Sequence, residues 1–373
     1  MVMDRYDVIV IGAGPAGSTT AYYAAKNKLN VLILEKKKEI GYPVQCGEFL
    51  PTVDEIREIL PKVNNLGELF AIKEKLISKR TTSIKIFSSK RKCYELKFNG
   101  FSVERREFDK YLVEKAVKMG AELRTDVKVT GIDGHRVITN GGDFISKVIV
   151  GADGPFSKVA GWMGLRGPKK LSPCILCEIP GDFEPTVEMY FGSVAPGGYA
   201  WVIPKATGAN IGLGVQKKSK VPLKSLLLKF LKSIDINAKP RFWSAGHVPV
   251  SGPIPQTVKG NVIVVGDAAG HVMATNGGGI PIAMICGRIA GNVIGRHINS
   301  ESPLEDYETE WRQAVGRELK TALMTKRLAD LSFKSDWTLD LAMRIMGTKR
   351  MDLSIKCKPI FGGWRTRKNG KGR

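Results

Sequence analysis

The segment RYDVIVIGAGPAGSTTAYYAAKNKLNVLILEK, residues 5–36, constrains the fold more tightly than any other part of the chain. A buried-strand run over residues 6–11 enters G-x-G-x-x-G at Gly12, Gly14 and Gly17, with Ala16 inside the turn. An alanine-rich helix follows, then a second strand, Val31 to Leu34, which ends on Glu35. Strand, glycine turn, helix, strand and acid within about 30 residues is the context that gives the glycine motif meaning. Gly12 permits the tight turn, Gly14 lets a pyrophosphate approach the backbone, and Gly17 lets helix and strand pack closely. The helix N-terminus then faces the phosphates. Glu35 can accept hydrogen bonds from an adenosine ribose and disfavours a 2′-phosphate there. The segment reads as a dinucleotide-binding unit.

At 373 residues the chain has room for two domains, or for one large α/β domain with an inserted sheet. Apolar residues make up 43% and charged residues 25%, which suits a folded protein with disorder only at the C-terminal end. No apolar run reaches the length of a membrane span. Six cysteines are scattered and no signal peptide precedes the first strand, so a reducing cytosol is expected. Cys174 and Cys177 form a C-x-x-C without a second ligand pair, and no metal site is expected.

Three later segments extend the first. In FSVERREFDKYLVEKAVKMGAEL, Phe108, Leu112, Ala116 and Met119 fall on one helical face, and a strand through Val127 and Val129 follows. In HRVITNGGDFISKVIVGADGPFSKV, the Asn140-Gly141-Gly142 turn makes a hairpin whose second strand ends at Asp153-Gly154. In KGNVIVVGDAAGHVMATNGGGIPIAMICGRIAG, a buried strand, Val262 to Val265, runs into Gly266-Asp267, and Gly277-Gly278-Gly279 opens an apolar helix at Ile280. This trio resembles the glutathione-reductase-like flavoproteins, in the branch that includes p-hydroxybenzoate hydroxylase. The resemblance implies an α/β fold: an FAD-binding Rossmann domain, an inserted antiparallel β-sheet substrate domain and a C-terminal helical region. It implies that FAD lies extended, with Arg105 of the V-x-R-x-x-F-D pattern along it and Val129 near the adenine. Asp153-Gly154 matches the second dinucleotide motif, and Asp267 would hold the ribityl chain. A helix starting at Gly279-Ile280 would aim its positive end at the flavin pyrimidine edge and stabilise the charge that builds there on reduction. Packing alone is the other reading of these glycines.

The fold does not name the reaction. In GYPVQCGEF (41–49), Cys46-Gly47 resembles the Pro-x-x-Cys-(Gly/Ala)-Glu stretch of the geranylgeranyl reductase family. That family also carries Pro-x-x-Tyr-x-Trp-x-Phe-Pro in its substrate sheet. APGGYAWVIPK (195–205) matches it at Pro196, Tyr199, Trp201 and Pro204, with Ile203 in place of the phenylalanine. The resemblance implies FAD-dependent reduction of isoprenoid C=C bonds in geranylgeranyl chains of archaeal-type ether phospholipids, a step of membrane lipid biosynthesis. Hydride would come from reduced flavin and a proton from a positioned acid or water. Flavin halogenases carry Trp-x-Trp-x-Ile-Pro, one aromatic change from YAWVIP, so an FAD-dependent monooxygenase or halogenase is the alternative.

Alternation puts Tyr199, Trp201 and Ile203 on one strand face, as the wall of an isoprenoid tunnel or as sheet core. VEMYF (187–191) alternates too and is expected to pair with that strand. Cys46, as catalytic candidate, reads as proton donor, gate, redox switch or small buried hydrophobe.

Lys and Arg number 58 against 36 Asp and Glu, a net charge of +22 that favours anionic partners. An ether phospholipid substrate and an anionic membrane surface fit that field, whereas no nucleic acid is expected. Leu319, Leu323, Leu328 and Leu331, then Trp337 and the LDLAMRIM run, suggest an amphipathic stretch, and the tail from Lys356 holds no acid. The expected location is cytoplasmic, peripheral to the inner face of the cell membrane. The electron donor is open between ferredoxin and reduced nicotinamide. The expected organisation is a discontinuous FAD domain (1–65, 100–170 and 245–300), a substrate sheet (66–99 and 171–244) and a helical region with a basic tail (301–373).

Overall fold

The computed structural model describes residues 3–216 and 221–361. The chain opens with β1 (Asp4–Ile11), α1 (Pro15–Lys26) and β2 (Val31–Leu34). A short β3 (Phe49–Pro51), helices α2 (Val53–Ile59) and α3 (Leu66–Leu69) and a hairpin of β4 (Ile77–Phe87) and β5 (Cys93–Val103) lead to α4 (Arg105–Lys118). Then come β6 (Glu122–Arg124), β7 (Val129–Asp133), β8 (Arg136–Thr139), β9 (Phe144–Gly151) and α5 (Lys158–Trp162). Four strands follow, β10 (Leu171–Pro180), β11 (Thr186–Phe191), β12 (Tyr199–Lys205) and β13 (Gly208–Gly214), with α6 (Leu223–Ser233) and β14 (Phe242–Pro249) after them. The chain returns through β15 (Val258–Lys259) and β16 (Val262–Val264) to α7 (Ile280–Ser300), and α8 (Asp306–Trp311), α9 (Arg317–Ser332) and α10 (Asp336–Ile355) complete it.

Among the described residues the strands form two eight-stranded sheets. The first runs β15-β16-β9-β1-β2-β6, with the β7–β8 hairpin attached to β9. Its centre is parallel: β1 pairs with β9 and β2, and β16 with β9. Val8, Ile9 and Val10, all of β2, and Val148 to Val150 are buried, because helices or the hairpin layer cover both faces. The Asn140-Gly141-Gly142 hairpin forms as expected, since Arg136 pairs with Ile145 and Val137 with Phe144.

The second sheet runs β14-β10-β13-β12-β11-β4-β5-β3. β11 pairs with β12 as alternation predicts, and β4 with β5 forms a hairpin. The sheet is not wholly antiparallel: β4 and β11 are joined in parallel, because the chain crosses through the first sheet between them. It also draws in β3, the end of β5 and β14, beyond the segments 66–99 and 171–244.

β12 explains the division of the molecule. Ala200 and Val202 face a core cluster with Leu227, Phe230 and Leu231 of α6. Tyr199, Trp201 and Ile203 face the other way, onto the nucleotide half. The sheet is thus sandwiched between α6 and the body of the protein. Cys174 and Cys177, three apart on β10, fall on opposite faces of it.

Two helix expectations need correction. Phe108, Leu112 and Ala116 are buried, but Met119 is exposed because it caps α4 beyond its last packed turn. Val127 precedes β7 in a loop rather than lying in the strand. The C-terminal leucines do not form one stripe either. Leu319 is core, whereas Leu328 and Leu331 are exposed, because α9 leaves the body where α10 folds back. Beyond Ile355, Lys356 and Lys358 pair with Glu58 of α2, tying the end of α10 to the body. Of the basic tail, residues 362–373 lie outside the described residues.

Candidate active site

The strands of the first sheet end at a cavity of about 1230 Å³ that continues along the inner face of the second sheet. At the nucleotide end, Gly12 has φ +106, and a Cβ there would lie 2.4 Å from the Ala152 carbonyl oxygen. A Cβ on Gly17 would lie 1.9 Å from the Gly12 carbonyl oxygen, so this glycine sets the closeness of α1 to β1. Around Gly14, by contrast, a Cβ would meet nothing within 4 Å, and Gly14 lines the cavity. That open flank beside the N-terminus of α1 is a cradle for a phosphate. Glu35 accepts from the backbone N–H of Ala13 at 2.9 Å and of Lys37 at 3.0 Å, which fixes its carboxylate at the cavity edge.

Ala16, Val129, Gly154, Gly278, Gly279 and Ile280 also line the cavity. Gly266 does not: its φ of +65 and the approach of the Ala16 Cβ make it a packing position. Asp153 lines the cavity, yet its carboxylate is occupied by the Ser157 hydroxyl and the N–H groups of Lys158 and Val159, at the start of α5. Gly279 caps α7, whose N-terminus opens into the cavity.

Arg105 and Asp267 bring charge to the middle of the cavity. The Arg105 guanidinium donates to both carboxylate oxygens of Asp109, at 3.0 and 2.8 Å. Burial opposes its charge, but Asp109 and the nearby Cys46 hold it firmly protonated. Desolvation pushes the Asp267 carboxyl up to about 6, while Arg105 pulls it down.

Cys46, Tyr199, Trp201 and Ile203 meet beyond this point. Tyr199 and Trp201 pack edge to face with ring centres 6.0 Å apart. Tyr199 donates its hydroxyl to the Asn276 carbonyl at 2.6 Å, reaching the loop ahead of α7. Burial, with Cys174 and Cys46 nearby, raises that hydroxyl well above its usual range. A Cβ on Gly47 would lie 2.9 Å from the Ile203 side chain, so the Cys46 turn rests directly on the β12 wall. Pro204 is not part of that wall, because alternation turns it away; its carbonyl accepts from Ser102 at 2.6 Å.

The cavity then widens under α9 and α10, where Phe191, Phe333, Met343, Met346 and Met351 are apolar walls. Leu328, Ile345 and Phe361 both line it and reach solvent, Ile345 with 62% of its surface. These residues mark an apolar mouth.

Buried polar residues that the motifs did not single out also meet here. Asn210 of β13, Glu48 and Lys205 lie directly behind Cys46 and Trp201. A lone amide in the apolar strand GANIGLG, and a lysine directly after Pro204, were the available signals.

A nucleotide cradle, a helix terminus aimed into the cleft and an apolar chamber beside it define an FAD-dependent oxidoreductase. Residues 7–44 match the family model for FAD-dependent oxidoreductases, and residues 175–243, which span β11 to β13 with parts of β10 and β14, match that of the geranylgeranyl reductase catalytic domain. The chain is 35% identical to the digeranylgeranylglycerophospholipid reductase of Methanocaldococcus jannaschii, covering 95% of this chain and 93% of that protein. It is 37% identical to digeranylgeranylglycerophospholipid reductase 2 of Methanothermobacter thermautotrophicus, covering 94% and 93%. A geranylgeranyl bacteriochlorophyll reductase-like protein of Thermoplasma acidophilum superposes with a TM-score of 0.82 at 28% identity, covering 97% and 94%. A flavin-dependent brominase shares the fold alone, at 18% identity and a TM-score of 0.73. The chain belongs to the geranylgeranyl reductase family.

Proposed function

We propose that this protein reduces isoprenoid C=C bonds in the geranylgeranyl chains of archaeal-type ether phospholipids, working at the inner face of the cell membrane. The observation that carries the reading is the continuity of one cavity from the Gly14 cradle, past Cys46 and Trp201, to the apolar mouth at Ile345 and Phe361. Its volume exceeds the range of about 300–1,000 Å³ usual for small-ligand pockets, as suits a dinucleotide and a lipid chain together. Gly12, Gly14, Ala16 and Gly17 would receive the pyrophosphate, Glu35 the ribose and Val129 the adenine. Arg105, Asp267 and the Gly278–Ile280 turn would flank the ribityl chain and ring. Bound there, reduced FAD supplies hydride.

An isolated alkene has no carbonyl to polarise, so the second carbon needs a proton from a positioned group. Cys46 is the proposed donor, with the Arg105 guanidinium close by to face the sulfur once the proton has left. Tyr199, Trp201 and Ile203 orient the chain and exclude water.

No helix of the described residues is long and apolar enough to cross a membrane. Trp337, Leu331 and Ile345 are exposed on α9 and α10, with exposed Arg327, Arg344 and Lys349 on the same helices and exposed Lys334 in the turn between them. That combination suits an anionic interface, where each basic residue contributes about 1 kcal/mol. Ferredoxin or reduced nicotinamide serves as electron donor.

The test is to incubate dithionite-reduced protein with digeranylgeranylglyceryl phosphate and follow the lipid by mass spectrometry. Stepwise gain of two hydrogens supports the reading. Oxygen-dependent gain of a hydroxyl or halogen overturns it in favour of a monooxygenase or halogenase.

A further inference from the structure

We propose that Asn210 is a positioning residue that locks the Cys46–Glu48 turn in register with Trp201. The inference rests on the reading of the chamber as the place where a chain meets the flavin. Asn210 is fully buried and uses both ends of its amide. Its Nδ2 donates to the Cys46 carbonyl at 2.9 Å and to Glu48 Oε2 at 3.0 Å. Its Oδ1 accepts from Trp201 Nε1 at 2.9 Å. One side chain therefore holds the main chain of the thiol-bearing turn and the ring of the chamber wall.

The turn it holds has an unusual backbone. Glu48 is buried and has φ +66, a conformation that side chains rarely adopt unless their surroundings impose it. Its carboxylate is anchored twice more, accepting from the Arg105 N–H at 3.0 Å and from Lys205 Nζ at 3.0 Å. Lys205, also buried, contacts Glu178 and Glu104 at 2.9 and 2.8 Å, which ties the assembly to β10 and to the start of α4. A buried polar cluster satisfied this completely specifies one arrangement, and removing one member strands the others. Glu48 fixes the backbone of Arg105, the residue whose guanidinium lies near Cys46, so turn and cation are registered together.

The test uses FAD-loaded protein in a Cys93→Ser background, because Cys93 is exposed. Asn210→Leu removes the amide; Asn210→Asp keeps the shape and the acceptor for Trp201 but deletes both donors, and serves where the leucine variant does not fold. The first readout needs no lipid: the rate of Cys46 alkylation by iodoacetamide, followed by peptide mass spectrometry. Several-fold faster labelling is expected with FAD content unchanged. The second is turnover on digeranylgeranylglyceryl phosphate, where kcat falls about 100-fold with KM held, the size expected for a misplacement of about 1 Å. Labelling at the parent rate in both variants overturns the proposal, whatever turnover does. Faster labelling in a protein whose parent never reduces the lipid overturns the functional reading and leaves the role of Asn210 standing.

Discussion

Trp201 has different duties at the two ends of its indole. The ring faces the chamber, and the N–H is held by Asn210. Trp201→Ala is expected to weaken long-chain lipid binding by about 2 kcal/mol, roughly thirtyfold, with flavin content unchanged. Lipid titration beside a flavin absorbance measurement checks both halves. Cys46→Ala is expected to lower turnover by about 100-fold with FAD bound; full turnover would remove the thiol from the chemistry. Asp267 gives a pH test. Its folded-state value, about 6, lies above its ordinary 3.8. A raised acid contributes stability that is fully present below the ordinary value and is lost as pH rises through the folded one. FAD-free protein should therefore lose thermal stability between about pH 4 and 6, and Asp267→Asn should flatten that slope. Gly14, Glu35 and Arg105 were legible because their meaning lies in short, fixed spacings. Asn210 was not, because its partners Cys46 and Glu48 lie 164 and 162 residues away and only pairing with β12 brings them together.

At the scale of elements, α1 and α7 meet through glycines four residues apart. A Cβ on Gly287 would lie 2.6 Å from the Ala16 carbonyl oxygen, and one on Gly291 2.6 Å from that of Thr20. Gly295 similarly abuts Asn27. These close approaches bring the two helix N-termini to the same cleft. Gly291→Leu is expected to cost at least about 2 kcal/mol through overpacking and to weaken FAD retention, measured by urea unfolding and flavin release. The helix itself was legible from its apolar run. The stripe was not, because a glycine in a helix declares a close neighbour only when the neighbour is known. The same limit applies to β12, whose alternation was plain but whose two faces acquire different meanings only from α6 on one side and the chamber on the other. The parallel join of β4 to β11 is likewise a property of the path between them.

At the scale of the molecule, the proposed function gives the net charge of +22 and the exposed apolar residues of α9 and α10 the same partner, an anionic membrane surface. Trp337→Ser with Leu331→Ser is expected to reduce co-sedimentation with anionic vesicles and turnover on lipid presented in them, while turnover on detergent-dispersed lipid is kept. Raising salt from low to physiological strength should weaken the binding of both proteins, since exposed charges are screened beyond about 8–10 Å. The hydrogen bond from Tyr199 to Asn276 has a consequence of another kind. It stitches the β12 wall of the cavity to the loop ahead of α7, where Asn276 Oδ1 also accepts from the Gly278 N–H at 2.9 Å. A hydrocarbon tail seated against Tyr199 should therefore alter the yellow colour of the oxidised protein. Lipid occupancy would then be open to optical titration in the resting state, before any electron is delivered.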